Sequence, residues 1–106
     1  MNILFVCTAN KLRSPTAQAI FSGRPDITVR SAGLDPEAPR RLDAELIAWA
    51  DEIYAMEIHH REKIRNKFRK VLGATPVITL GIPDEYEFMQ PELVAFLKER
   101  LPRYAG

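Results

Sequence analysis

The chain has 106 residues, is 46% hydrophobic and 27% charged, and carries a formal net charge of +1. That is the size and balance of one globular domain, 1–106, with a small core, and it excludes a disordered chain. Near-neutrality argues against broad electrostatic binding to nucleic acid and leaves room only for a local positive pocket.

Residues 3–6, "ILFV", form a short, wholly apolar run of β-formers, which suits a strand buried on both faces. The run is too short, and lacks the basic flank, for a signal peptide, and no later stretch is long enough to span a bilayer. Residues 14–21, "SPTAQAIF", predict a helix with Ser14 as N-cap and Pro15 at its first position, stopped by Gly23 and Pro25. Residues 27–31 alternate as a second strand, and the two prolines of 33–41 mark a loop. Leu42, Leu46, Ile47, Trp49 and Ala50 recur with a helical period over 42–50. Residues 52–56 read as a third strand. Residues 59–72 read as a helix with Ile64, Phe68, Val71 and Leu72 inward and Gly73 as its stop. A fourth strand at 77–80, a loop at 81–90 and a helix at 91–101 opening on Pro91 complete the chain.

Strand and helix alternate four times. That order predicts an α/β fold: a single three-layer domain with a four-stranded parallel sheet and helices on both faces. Ligands of such sheets sit beyond the carboxyl ends of the strands. Cys7 ends the first strand, and the loop after the fourth carries Asp84, so both fall on that rim.

Cys7 is the only cysteine, which excludes an internal disulfide and a cysteine-clustered zinc site. A free thiol suits a cytoplasmic setting. Five residues separate Cys7 from Arg13, and Ser14 and Pro15 then open a helix. Unpaired N–H groups and the helix dipole make such a junction an anion site, and the Arg13 fork matches two oxygens of a phosphate. A thiol in that field ionises readily and can attack phosphorus, holding the transferred group as a thiophosphate. A carboxyl group above the loop would protonate the departing oxygen and later activate water. Asp84 is the candidate, with Glu85 and Glu87 beside it. A lone cysteine is more often a small buried apolar residue. The strand before it, the loop length, Arg13 and the Ser-Pro start together favour the anion loop.

"VCTANKLRSP" resembles the phosphate loop of the low-molecular-weight protein tyrosine phosphatases, and "VRSAG", "ADEIYAME" and "IPDEY" resemble later segments of that family in the same order. The resemblance implies a phosphomonoester hydrolase acting on phosphotyrosine in a protein or on a small aryl phosphate, without metal or cofactor. Cys7 would be the nucleophile, Arg13 the phosphate clamp and Asp84 the general acid. Thr8, Ala9, Asn10, Lys11 and Leu12 would form the cradle and Ser14 would donate to the thiolate. Asn10 would take a positive φ and bond Ser31, and Tyr86 would be a pocket wall. No nucleic-acid or membrane partner is expected, and the chain would act as a monomer or weak homodimer.

Departures from the family pattern fall at three places. The chain is shorter, mainly between Gly33 and Leu42; Leu12 replaces the usual second cysteine, leaving Cys7 open to over-oxidation; and Glu85 replaces the usual proline, with Lys11 able to offset its charge. Alternative readings are a catalytically weak phosphate- or phosphopeptide-binding module, an arsenate reductase using an external thiol, and a scaffold that kept only the fold. Trp49 is expected in the core, the basic run 59–70 on a solvated helix face, and His59 and His60 about 100° apart and so unable to share a metal on one face.

Overall fold

The computed structural model of the protein describes residues 1–105. In chain order it contains β1 Asn2–Cys7, α1 Arg13–Phe21, β2 Thr28–Gly33, α2 Ala44–Trp49, β3 Glu52–Ala55, α3 Ile58–Lys67, α4 Arg69–Leu72, β4 Val77–Thr79, α5 Pro91–Arg100 and α6 Pro102–Ala105. The four strands pair in parallel in the order β2-β1-β3-β4. β1 lies between β2 and β3, with Cys7 opposite Gly33 and Val6 opposite Ala55.

The apolar run of β1 is explained by this central place. Ile3, Phe5 and Cys7 point to one core, built with Ala17 and Phe21 of α1, Leu93 and Leu97 of α5 and Tyr104 of α6. Leu4 and Val6 point to the other, with Leu46 and Ile47 of α2, Ile64 of α3 and Leu72 of α4. Successive residues thus serve opposite layers, and neither face of β1 needs a polar side chain. The chain winds from β1 through α1 to β2 and back across to β3. The strand order therefore reverses beside β1, where a crevice opens at the carboxyl ends.

Several boundaries differ from the sequence expectation. α1 begins at Arg13, with Leu12 at the cap position and no side-chain cap bond, so Ser14 is inside the helix rather than its N-cap. Pro15 is third rather than first, which costs nothing because the first turn has no internal acceptor for that N–H. α2 starts at Ala44 because Asp43 caps it, its carboxylate accepting from Leu46 N at 2.9 Å. The long helix of 59–72 breaks at Phe68, whose ψ of 25° departs from helix, and α4 stops at Gly73 with φ 53°. Val71, expected inward, is exposed, while Trp49 is half-buried beneath the Arg30 guanidinium at 4.5 Å. α6 was not foreseen; Tyr104 fixes it by donating to Glu52 Oε1 at 2.7 Å and packing edge-on to Phe21 and Tyr54.

Candidate active site

The loop from Cys7 to Arg13 is closed by a hydrogen-bonded chain whose direction can be assigned throughout. Ser31 Oγ donates to Gln18 Oε1 at 2.6 Å, so it accepts from Asn10 Nδ2 at 3.0 Å. The same amide nitrogen donates to Ser14 Oγ at 2.9 Å. The Ser14 proton is then free to turn to Cys7 Sγ at 2.9 Å, with Ala32 O the more distant acceptor at 3.4 Å. Asn10 N also donates to Cys7 Sγ, at 3.3 Å. Asn10 holds φ 54°, a left-handed conformation that asparagine tolerates better than most residues. Two donors thus converge on the sulfur.

Gly33 makes the close packing behind this loop possible. A Cβ there would lie 2.7 Å from Thr8 O, 2.7 Å from Ala38 Cβ and 3.0 Å from Asn10 Cβ. Leu34 N donates to Cys7 O at 3.0 Å and Asp35 N to Thr8 O at 2.9 Å, tying the loop to the segment after β2.

Arg13 is 2% exposed and is held from the far side. Its Nη1 donates to Glu57 Oε1 at 2.5 Å and to Ile82 O at 2.8 Å, and its Nε lies 3.8 Å from Asp84 Oδ1. Burial pushes the Glu57 carboxyl up, but the hydrogen bond and charge of Arg13 more than offset it, so its pKa falls below the usual carboxylate value. Glu57 therefore stays ionised against the guanidinium at neutral pH.

The helix that follows Glu57 ties down the other end of the loop. Glu57 and His60 form a reciprocal capping box at the start of α3. His60 Nδ1 accepts from Glu57 N at 3.1 Å, which leaves the proton of the neutral ring on Nε2, 2.8 Å from Thr8 Oγ1. Burial, followed by the positive charges of His59 and Arg13, lowers the His60 pKa to about 4. The rings of His59 and His60, expected to point apart, lie 4.1 Å between centroids. One potential ligand atom from each of Glu57, His59 and His60 falls within 4.8 Å of the others, but both His60 nitrogens and the Glu57 carboxylate already have protein partners.

A pocket of about 160 Å³ opens over this assembly, lined by Cys7, Ala9, Lys11, Leu12, Arg13 and Asp84. The structure thus brings the sulfur, the guanidinium and the carboxylate of the sequence reading to one cavity. The side chains of Thr8, Asn10, Ser14 and Ser31 are taken up in hydrogen bonds that brace the loop. Tyr86 packs edge-on to Phe96 at 6.5 Å and is not among the residues that line this cavity. Sequence reasoning missed Glu57, His60, Gln18 and Gly33. The available signal for Glu57 was its place just after the third strand, on the rim beside β1.

No protein-family model matches the sequence. A protein-arginine-phosphatase of Geobacillus stearothermophilus is 32% identical over 97 residues, covering 69% of this chain and 66% of that protein. The chain thus spans just under two thirds of the length of the curated relative it matches. The solved YwlE arginine phosphatase from Geobacillus stearothermophilus superposes with a TM-score of 0.76 at 26% identity, over 96% of this chain and 90% of that one. A low molecular weight protein tyrosine phosphatase from Bacillus subtilis, known from its solution structure, gives 0.68 at 27% identity, over 97% of this chain and 98% of its own. On these likenesses in sequence and overall shape, the chain belongs to the low-molecular-weight protein tyrosine phosphatase family.

Proposed function

We propose that the protein is a phosphatase that removes a phosphoryl group from a phosphorylated protein, or from a small phosphate ester, through a cysteinyl-phosphate intermediate. The observation that carries this reading is the shared lining of one pocket by Cys7, Arg13 and Asp84, with two donors aimed at the sulfur. The Cys7 thiolate attacks phosphorus as the bond to the leaving group breaks, and Asp84 gives its proton to the departing atom. The carboxylate then takes a proton from water, whose oxygen displaces the sulfur and releases inorganic phosphate. Arg13, held by Glu57 through Nη1, presents the rest of its fork to the equatorial oxygens.

Phosphotyrosine is the substrate that the family resemblance implies. Phosphoarginine is a second reading, favoured by the named activity of the curated relative and by the absence of an aromatic wall. A free thiol that must stay reduced fits a cytoplasmic place of action. Arsenate reduction through internal cysteines has no partner for Cys7, since the chain has one cysteine. Hydrolysis of p-nitrophenyl phosphate, a phosphotyrosine peptide and a phosphoarginine peptide by wild type and Cys7→Ser tests the reading. Turnover lost in Cys7→Ser supports it. Phosphate binding without turnover in the wild type would leave a binding module instead.

A further inference from the structure

The basic run 59–70, expected as a plain solvated face, lines a set of adjoining depressions of about 570, 360 and 310 Å³ that all share Lys67. Lys63, Lys67, Arg69, Lys70 and Arg41 contribute cations to their walls, and none of these has a carboxylate partner among the described residues. Only Arg40 is paired, with Asp43 at 3.3 Å. The floor is apolar, from Leu34, Phe68 and Val71. Unpaired cations around an apolar floor suit a chain that carries both carboxylates and aliphatic side chains.

Two contacts tie the groove to the active-site loop. Leu34, in its floor, donates its N–H to Cys7 O. His60, which touches Thr8 of the phosphate loop, lies on α3 three residues before Lys63 and seven before Lys67, so the three share one side of the helix. From His60 to Lys67 the helix rises roughly 10 Å, a span that an extended peptide covers in about three residues.

We propose that this groove binds an acidic segment of the phosphoprotein substrate, with its carboxylates about three to five positions from the phosphorylated residue. This rests on the phosphatase reading and gives that site its sequence context. A nucleic acid is the poorer occupant, because no exposed aromatic side chain offers a stacking surface in the groove and the chain as a whole carries only +1.

The test uses a fluorescein-labelled phosphotyrosine peptide with glutamates three to five positions from the phosphate, and its glutamine counterpart. Anisotropy with the Cys7→Ser protein reads binding, and kcat/KM with the wild-type active site reads use. About a tenfold preference for the acidic peptide is expected at low salt, falling towards unity at high salt and in the double variant Lys67→Glu, Lys70→Glu. That variant should hydrolyse p-nitrophenyl phosphate as the wild type does. Equal binding of the two peptides, or tighter binding of a single-stranded oligonucleotide of equal charge, would overturn the proposal. Absence of any hydrolysis would count against the phosphatase reading alone, since anisotropy still reports on the groove.

Discussion

Arg13 Nη1 lies 2.5 Å from Glu57 Oε1, so the buried guanidinium of the phosphate loop is oriented by a carboxylate from the N-cap of α3, just past the neighbouring strand β3. A planar fork held along one edge presents the other at a fixed angle, which a freely rotating side chain cannot do. Glu57→Gln keeps the shape and removes the charge. We expect kcat/KM for p-nitrophenyl phosphate to fall by about a hundredfold, with the circular dichroism spectrum of the folded protein unchanged. Unchanged kinetics would remove Glu57 from the positioning role.

His60 predicts how stability depends on pH. The unfolded chain takes a proton on this ring near the ordinary value of 6.5, whereas the folded ring resists protonation until about 4. Between those values the unfolded state binds more protons, so stability falls as pH falls through that window. The loss from this residue is at most roughly 3 kcal/mol, the free-energy equivalent of that gap. Urea midpoints measured from neutral to acidic pH should drop over this range. His60→Gln should flatten the profile, and an equally steep profile in the variant would place the titration on another group.

Gly33 predicts a cost of close approach. Its neighbours include the Thr8 carbonyl, which cannot swing aside without moving the phosphate loop. Gly33→Ala should destabilise the fold by about 1–3 kcal/mol and raise KM, because the loop itself must shift. A fully active, equally stable variant would show that the loop is softer than this packing implies.

Asp84, on the loop after β4, lines the same pocket as the sulfur. If it protonates the leaving group, Asp84→Asn should slow esters of poorly acidic alcohols far more than p-nitrophenyl phosphate, whose phenolate needs little help. A uniform effect across a leaving-group series would assign the proton to another donor, with Glu85 the next to be tested.

Chemistry that lies close together in the chain was legible in the sequence. Cys7, Arg13 and Ser14 share one strand-to-helix junction, and the alternating elements placed Asp84 on the same rim. Asn10 was expected in a left-handed conformation and beside Ser31, and the structure has both. Glu57 and His60 were not legible because their partners, Arg13 and Thr8, lie 44 and 52 residues away and meet them only through the pairing of β1 with β3. The surroundings of Tyr86 were not legible for a related reason: they depend on how the 81–90 loop lies against α5, where Phe96 offers an apolar neighbour. Helix ends were missed where tertiary contacts decide, as at Phe68 and at Tyr104 of α6.

The most direct measurement is to quench the protein with acid during turnover of p-nitrophenyl phosphate and map the phosphoryl group by mass spectrometry. The account predicts a phosphoryl adduct on the peptide containing Cys7, absent in Cys7→Ser and accumulating in a variant slowed at the water step. Turnover at the wild-type rate in Cys7→Ser, or a phosphoryl group carried on another residue, would contradict it.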